Sequence, residues 1–165
     1  MIKISAEVLK SAMLYKAKND VRYYLDRLYI DYNTIVATNG HICFRAPIES
    51  DEQRIIKFQG KLPTKFKECV ITGDIAEFTD DNLNVVAKLG VETVDAHYPD
   101  YNRLYNDGVG EVSQIGFRGD YLQILGKTAK LLCDYQCCKF TFKNAIDGVK
   151  VKIGVADIVL MPVRI

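Results

Sequence analysis

The side chains best suited to covalent or metal chemistry are two histidines, His41 and His97, and a group of cysteines. Three of the five cysteines, Cys133, Cys137 and Cys138, are close in sequence but lack the Cys-x2-Cys spacing of a zinc site. A cysteine nucleophile would need a histidine beside it in space, which spacing alone does not establish. A thiol- or histidine-dependent enzyme is therefore kept as a third hypothesis, and no metal or other cofactor is expected.

Other catalytic patterns are weak. Asp107-Gly108 and Gly110 lie in a predicted loop that precedes a strand, not a helix that begins with Lys-Ser or Lys-Thr, so they do not form a phosphate-binding loop. No pair of carboxylates has a spacing typical of acid–base catalysis. The sequence therefore indicates a protein that is not an enzyme.

The composition is that of an ordinary soluble globular protein. The 165 residues are 48% hydrophobic and 26% charged, which excludes a disordered tail, a collagen-like fibre and a membrane bundle. The net charge of +1 argues against a strongly basic nucleic-acid coat, but it allows a local basic stripe. The odd number of cysteines suggests free thiols in a reducing cytosol, and no secretory signal is expected. The expected location is cytoplasmic.

Residues 1–104 are expected to form a first module of strands with a long helix. Ser5 is a suitable N-cap for this helix, which is predicted to extend to about residue 18 with Ser11 on its polar face. The Asn39-Gly40 pair predicts the tight turn of a hairpin. Pro63 could begin a short helix through residue 67. Predicted strands occupy residues 21–32, 35–38, 41–46, 54–59, 69–72, 75–78, 83–89 and 92–96.

Residues 111–165 are expected to form a second module with a similar order of elements. Its helix is predicted to begin at an N-cap, Asp120, with Gln123 completing a capping box. The apolar face of this helix contains Leu122, Leu125, Ala129 and Leu132. Predicted strands occupy residues 112–117, 137–143, 149–155 and 158–165. A strand, a helix and three strands thus recur at both ends, which predicts an α+β fold: antiparallel sheets with two amphipathic helices on one face.

Four short segments are more specific together than any of them is alone. They are DVRYYL at 20–25, ATNGH at 37–41, YPDYNRL at 98–104 and VLMPVRI at 159–165. In their order and predicted contexts they resemble the bacterial replicative sliding clamp, the beta subunit of DNA polymerase III. By this resemblance residues 1–104 are similar to the middle domain of the clamp, with its second helix shortened to about 63–67. Residues 111–165 are similar to the second half of its last domain, and the rest of the clamp has no counterpart here.

The resemblance implies a surface pocket at which the four segments meet. In the family this pocket binds a linear motif of polymerases and repair proteins, typically a glutamine followed by aliphatic residues and a Leu-Phe pair. The matching positions of this chain are Leu25, Thr38, Gly40, His41, Pro99, Arg103, Leu104, Val159, Leu160, Met161, Pro162, Val163 and Arg164. Aliphatic side chains and methionine supply an adaptable apolar cleft, and the arginines can clamp polar groups of a ligand.

Several positions depart from the family pattern. Asn39 stands where Asp is usual, and both residues favour tight turns. Ile42-Cys43 stands where Arg-Leu is usual, and Val163 where Met is common. These changes remove one cation and some bulk from the pocket, so the motif preference of this chain is expected to differ.

The resemblance also implies helices that line the inner wall of a ring and face DNA phosphates through non-specific charge. The matching candidates are Lys10, Lys18, Arg118, Lys127 and Lys130. A ring built from this chain would need more copies than the clamp dimer, joined head to tail. A sheet edge exposed by the missing half-domain is the expected contact between copies.

The first hypothesis is thus a miniature sliding-clamp-like processivity factor. It would bind the clamp-binding motif of polymerases or repair proteins and form a homo-oligomer around duplex DNA, with no membrane contact. The second is a decoy from a phage or mobile element, which binds the same motif without encircling DNA. If residues 63–67 are not a helix, the two strong helices form one pseudo-symmetric clamp domain and residues 54–97 elaborate its sheet.

Overall fold

The computed structural model describes residues 1–105 and 108–164. In these residues the chain forms eleven β-strands and two α-helices. The strands are β1 Ile2–Ser5, β2 Leu28–Asp31, β3 Thr34–Thr38, β4 Ile42–Pro47, β5 Gln53–Gln59, β6 Glu68–Thr72, β7 Ile75–Thr79, β8 Val85–Val94, β9 Lys139–Thr141, β10 Val149–Ile153 and β11 Ala156–Leu160. The helices are α1 Ala6–Ala12 and α2 Gly119–Leu132, and short 3-10 turns occupy Tyr23–Asp26 and Asn102–Tyr105. Asp107 of the predicted loop and Ile165 of the predicted last strand lie outside the described residues.

The strands form one antiparallel sheet in the order β1-β6-β7-β8-β5-β2-β3-β4-β11-β10-β9. The two parts of the chain meet at the pair β4–β11, where Cys43 lies opposite Val159. At one end of the sheet β9 has three residues. At the other end, backbone hydrogen bonds of 2.8 and 3.2 Å join Lys3 of β1 to Glu49. Within the described residues, β9 is thus an edge strand of only three residues. It offers few backbone groups for pairing with a strand of another copy, the contact expected in a ring.

Side-chain alternation gives the sheet two buried faces. In β4, Ile42 and Phe44 belong to the core beneath the helices, whereas Cys43 belongs to a second cluster on the opposite face. Tyr98 and Tyr101 are members of this second cluster. The segment that follows β8 therefore covers part of the face that the helices leave open.

The two helices contact each other on one face of the sheet. Ser5 caps α1, since its hydroxyl oxygen accepts a hydrogen bond from the amide of Val8 at 3.3 Å. The hydroxyl groups of Tyr15 and Thr128 are 2.7 Å apart and buried between the helices. The ring of Tyr15 also lies 4.9 Å from that of Phe44 in β4. The predicted α+β arrangement, with two helices on one face of an antiparallel sheet, is confirmed.

The first helix is shorter than predicted. α1 ends at Ala12 rather than near residue 18. Ser11, expected on the polar face, is fully buried. This face is covered because α2 packs against α1, a contact that the periodicity of one segment does not reveal.

The second helix begins two residues earlier than predicted. Arg118 takes the cap position, and Asp120 lies in the first turn, where its carboxylate accepts hydrogen bonds of 2.7 and 3.1 Å from Arg118. Leu122, expected on the apolar face, is 43% exposed. Tyr121 and Thr128 lie on the buried face instead. Compared with the prediction, the buried face of α2 is therefore rotated about the helix axis, toward the side that contacts α1.

Residues 60–67 are a loop, so the prediction of a short helix after Pro63 is wrong. The Nζ of Lys10 donates to the carbonyl of Thr64 at 2.9 Å, and Phe66 packs edge-on against Phe78 at 5.0 Å. The loop thus lies over the sheet, and the ring of Phe66 fixes its position. So short a segment gains little from helix formation, because nucleation is unfavourable.

The predicted strands at residues 21–32, 83–89, 92–96 and 112–117 differ from those of the structure. Residues 23–26 form a 3-10 turn, and residues 83–89 and 92–96 belong to one strand, β8. Residues 112–117 form no strand, but Gly116 makes an isolated bridge to Val163. A helix followed by three strands nevertheless occurs at both ends of the chain. The division into two modules stays a prediction, because one sheet and one pair of contacting helices extend through both.

Asp26, in the 3-10 turn after α1, is surrounded by cations. Its carboxylate accepts a hydrogen bond from the Nζ of Lys16 and lies 3.3 Å from the Nζ of Lys57 and from the Nη1 of Arg27. Burial acts to raise the pKa of Asp26, but Lys16 and Lys57 outweigh it and hold the pKa below its ordinary value. The ionised form is therefore favoured in the folded protein.

We expect the free energy of unfolding to depend on pH through Asp26. Because the folded-state pKa is lowered, this contribution is present above the ordinary carboxyl pKa of about 4 and is lost as the pH falls through the folded value. Asp26→Asn should therefore destabilise the protein at about pH 6, and this effect should shrink as the pH falls below about 4. Urea unfolding of both proteins across this range measures the difference, and a difference that fails to shrink in acid would contradict the prediction.

Candidate functional site

A pocket of about 290 Å³ lies on the sheet face opposite the helices, at the end of β11. It is lined by Arg103, Leu104, Lys143, Asp147, Gly148, Val159 and Met161. Four of these residues, Arg103, Leu104, Val159 and Met161, belong to the predicted peptide-binding set. The structure thus brings together two predicted segments that are about 55 positions apart in the sequence.

Side chains along β11 point alternately to the two faces of the sheet, and this determines which of them reach the pocket. Ile158 and Leu160 lie in the core beneath the helices, so Val159 between them faces the other side. Val159 is 2% exposed and forms part of the pocket floor, whereas Met161 is 37% exposed. The amide of Met161 donates to the carbonyl of His41 at 2.9 Å, which fixes the backbone at the pocket.

Stacked tyrosines hold the loop that supplies Arg103 and Leu104. The ring of Tyr98 stacks on that of Tyr29 at 4.6 Å. The hydroxyl of Tyr101 donates to the carboxylate of Asp31 at 2.7 Å. These contacts attach the loop to β2 from two positions.

Tyr105 closes the same loop over the β4–β11 junction. Its hydroxyl lies 3.3 Å from the carbonyl oxygen of Cys43 and 3.2 Å from that of Asp157, one on each strand. The guanidinium of Arg45 lies over its ring at 3.7 Å. Burial, with the neighbouring Cys43, raises the pKa of Tyr105 well above its ordinary value, so the hydroxyl stays a donor. Arg103 and Leu104 are thereby held at the pocket rim.

The pocket has its volume because residue 148 is a glycine, which has no side chain to occupy the space. A Cβ atom at this position would lie 2.6 Å from the Cγ1 of Val159 and 3.2 Å from the Sδ of Met161. The first distance is shorter than real Cβ contacts, so any larger residue would displace the pocket floor. The pocket therefore depends on glycine at 148 for its volume.

The hairpin turn beside the pocket has the conformation that its sequence predicts. Gly40 has a φ of 91°, a left-handed conformation that favours glycine. The hydroxyl of Thr38 donates to the carbonyl of Ile42 at 2.8 Å and accepts from the amide of Gly40 at 3.0 Å. Asn39 accepts hydrogen bonds from the amides of His41 and Ile42. The predicted hairpin is confirmed, and it positions the carbonyl of His41.

The other predicted peptide-binding residues do not line the 290 Å³ pocket. Leu25 and Leu160 are buried in the protein interior. The amide of Val163 donates to the carbonyl of Gly116 at 2.8 Å, which ties the C-terminal segment to the residues before α2. Pro99 and Pro162 are half-buried, and Arg164 is exposed. A role for these residues in binding stays a prediction.

A second pocket of about 370 Å³ lies on the other side of the hairpin turn. His41 lines it, and the ring of His41 stacks at 6.3 Å on that of Tyr121 in α2. Arg118 lies 4.9 Å from the same tyrosine ring, and Arg22 is held beside the turn by its pair with Asp20. The two pockets are linked through the hydrogen bond between Met161 and His41, so they flank one stretch of backbone.

Sequence reasoning missed several residues of these pockets. Lys143, Asp147 and Gly148 lie in the β9–β10 connection, which carries no recognisable motif. Tyr121 lies in the predicted second helix, at a position with no binding motif. Arg22 lies within the DVRYYL segment, which could have identified it.

The predicted DNA-facing cations do not form one free stripe. The Nζ of Lys10 is bound to Thr64 and lies 4.9 Å from the ring of Phe66. Arg118 is paired with Asp120. The remaining candidates are exposed, and they are Lys18 beyond the end of α1 and Lys127 and Lys130 on α2. Their role in DNA binding stays a prediction.

The environments of Cys43, Cys69 and Cys138 disfavour a nucleophilic role for these three thiols. Burial raises the pKa of Cys43 to about 11 and that of Cys69 to about 12, so both are protonated near neutral pH. Burial and the neighbouring Cys137 also raise the pKa of Cys138. Residues 1–105 and 108–164 contain no group of three or more His, Cys, Asp or Glu side chains arranged to hold a metal ion. Neither helix in these residues is long and apolar enough to cross a membrane.

No protein-family model and no curated protein sequence matches the chain. Solved structures do match it. The DNA polymerase sliding clamp of Caulobacter crescentus is 14% identical, with a TM-score of 0.66 over 99% of this chain and 65% of the clamp. The clamp of Bacillus subtilis is 13% identical, with a TM-score of 0.61 over 99% of this chain and 64% of the clamp. The clamp of Pseudomonas aeruginosa is 16% identical, with a TM-score of 0.56 over 99% of this chain and 66% of the clamp.

These alignments cover about two thirds of the clamp chains and almost all of this one. The helix followed by three strands at each end, and the two helices on one face of the sheet, are the features that the order of elements in the sequence predicts. At this level of identity it is the fold that is shared, and the fold of this chain is that of the bacterial sliding clamp, the beta subunit of DNA polymerase III.

Proposed function

We propose that this chain is a clamp-like accessory protein that binds a short linear motif of DNA polymerases or repair proteins. The observation that carries the proposal is the 290 Å³ pocket, in which the 98–104 loop and the end of β11 meet. The same two segments resemble the motif-binding segments of the sliding clamp. Binding would be non-covalent and would involve no reaction at the pocket.

The lining of the pocket suits an apolar side chain with polar groups beside it. Val159 and Met161 form an aliphatic floor, and the thioether of methionine can repack around different ligands. Leu104 is 38% exposed at the rim, so part of its side chain is available to a ligand. Arg103 supplies donors for a carbonyl or carboxylate. A concave apolar site with a few fixed polar groups is the usual form of a ligand pocket.

The expected affinity is modest. A fully buried Leu or Phe side chain contributes about 1.5–3 kcal/mol. A dissociation constant of about 1 μM corresponds to about 8 kcal/mol, so two such anchors would supply at most about 6 kcal/mol of it and polar contacts along the peptide would have to supply the rest. A short motif with interchangeable partners is compatible with this range.

Fluorescence anisotropy with a labelled Gln-Leu-x-Leu-Phe peptide tests the proposal. We expect binding at about micromolar concentration, weakened about tenfold or more by Met161→Ala and by Arg103→Ala. Val86→Ala is the matched control, because Val86 is exposed on β8, five strands from β11 in the sheet order. Equal affinity of the wild-type protein and Met161→Ala, both folded, would refute the proposal.

The roles of a DNA-encircling ring and of a decoy share this pocket and differ in the rest of the protein. Lys18, Lys127 and Lys130 are exposed and support contact with DNA, whereas the engagement of Lys10 by the 60–67 loop does not. A clamp-dependent polymerase assay separates the two roles. A processivity factor would extend synthesis, and a decoy would shorten it by competing for the motif. Light-scattering mass with and without duplex DNA measures the oligomer that a ring requires.

A further inference from the structure

We propose that the peptide segment bound at the pocket carries acidic residues beside its apolar anchors. This inference rests on the proposed function and adds the chemistry of the partner. The acidic residues would lie against a basic strip next to the pocket, which consists of Arg103, Lys139, Lys143 and Lys152. Two members of the strip, Arg103 and Lys143, line the pocket itself.

The register of the sheet places the other two members beside it. Lys139 of β9 lies opposite Lys152 of β10, which lies opposite Asp157 of β11. The next row along the same strands consists of Thr141, Lys150 and Val159. Residues directly opposite in an antiparallel pair share a face, and residues two positions apart along a strand share it too. Lys139 and Lys152 therefore lie on the face of Val159, one row from the pocket floor.

The strip is positive although the chain as a whole carries a net charge of only +1. Lys143 contacts Asp147 at 3.5 Å and Lys152 contacts Asp157 at 3.0 Å, in pairs that are about half exposed. Arg103 and Lys139 have no ion-pair partner among residues 1–105 and 108–164. Positive charge is thus in excess around a pocket whose apolar lining consists of Leu104, Val159 and Met161.

Lys139 lies directly opposite another lysine, Lys152, whose charge Asp157 offsets only from the far side of β10. Like charges directly opposite each other in an antiparallel pair are destabilising. A carboxylate placed between them would relieve this repulsion, and so would a second carboxylate at Arg103. The fold offers no internal partner for Lys139 among the described residues, which favours a partner from outside.

The expected effect is electrostatic and therefore dependent on salt. Exposed charges add little to affinity each, but they raise the association rate and are screened at high ionic strength. Apolar contacts in the pocket are much less sensitive to salt. The acidic residues should therefore increase the affinity of the peptide at low salt. The contribution of its apolar side chains should remain at high salt.

Three labelled peptides test the inference, all with the Gln-Leu-x-Leu-Phe core and with either two Glu, two Gln or two Lys residues at each end. At about 50 mM salt we expect the Glu peptide to bind about fivefold more tightly than the Gln peptide, and the Lys peptide more weakly. At about 500 mM salt the three affinities should converge. Lys139→Gln should reduce the preference for the Glu peptide over the Gln peptide. Lys65→Gln is the matched control, an exposed lysine in the 60–67 loop.

The outcomes separate this inference from the proposed function. Equal binding of the Glu and Gln peptides, both lost in Met161→Ala, would overturn the acidic partner and leave the pocket intact. Failure of all three peptides to bind the folded protein would remove both proposals. A third outcome is that duplex DNA binds, that Lys139→Gln weakens this binding, and that the Glu peptide binds no more tightly than the Gln peptide. This outcome would identify the strip as a nucleic-acid surface and overturn the inference.

Discussion

Gly148→Val is expected to abolish peptide binding while the protein stays folded. A single Cβ at this position already approaches the Cγ1 of Val159 to 2.6 Å, and valine adds two further methyl groups. Gly148 does not have a positive φ, so the backbone accepts a larger residue there. The added atoms would fill a pocket of about 290 Å³ or displace Met161 from its wall. We expect the dissociation constant of the Gln-Leu-x-Leu-Phe peptide to rise more than about tenfold in an anisotropy titration.

Gly126→Ala is the matched control for this substitution. Gly126 is exposed on α2, and a Cβ there meets no atom within 4 Å. Alanine in the interior of a helix is about 0.8–1 kcal/mol more favourable than glycine, so this variant should be more stable and bind the peptide normally. Wild-type affinity of a folded Gly148→Val variant would show that the motif binds elsewhere.

Phe44→Ala is expected to have the largest effect on stability. Phe44 is fully buried at the junction of the two parts of the chain, opposite Ile158 of β11 and against the ring of Tyr15. Replacing a buried Phe by Ala costs about 3–5 kcal/mol, a large share of the about 5–15 kcal/mol that stabilises a typical domain. The variant should unfold at a much lower urea concentration, if it folds at all.

Urea unfolding followed by both far-ultraviolet circular dichroism and tyrosine fluorescence measures this effect. Because one sheet and one pair of contacting helices extend through both parts of the chain, the two signals should change together in a single transition. Tyr135→Ala serves as the control, since Tyr135 is 93% exposed. A loss below about 1 kcal/mol for Phe44→Ala, or separate transitions for the two parts, would contradict this view of the junction.

The fold was predictable where local chemistry and tertiary structure agree. The Asn39-Gly40 turn is one such place, because few residues other than glycine adopt the backbone conformation of Gly40. Ser5 is another, since its side chain caps α1 as its residue type predicts. The buried face of α2 was only partly predicted, because Thr128 is buried through its hydrogen bond to Tyr15 and not through its hydropathy.

The errors occurred where tertiary contacts override weak local signals. Residues 60–67 form a loop and not the predicted helix. Packing of Phe66 on Phe78 and the hydrogen bond from Lys10 to the carbonyl of Thr64 hold this loop against the rest of the protein. Residues 112–117 were predicted to form a strand, yet they make only the bridge from Gly116 to Val163. Neither the loop nor the bridge leaves a periodic pattern in the sequence.

The site was half predictable for a related reason. Arg103 and Met161 lie in short segments that resemble clamp motifs, and the resemblance pairs them although they are distant in sequence. Lys143 and Gly148 reach the same pocket only through the register of β10 with β11, which side-chain pattern does not specify. The basic strip was missed for the same reason, since Lys139 and Lys152 become neighbours only through strand pairing.

Nuclear magnetic resonance mapping of the peptide on the isotope-labelled protein tests the central claim most directly. An unlabelled Gln-Leu-x-Leu-Phe peptide would be titrated into the protein and its backbone amide signals followed. We predict that the largest shifts occur at Leu104, Gly148 and Met161, on the sheet face opposite the helices. Shifts confined to α1 and α2, or no shifts at saturating peptide, would contradict the assignment of this pocket as the motif-binding site.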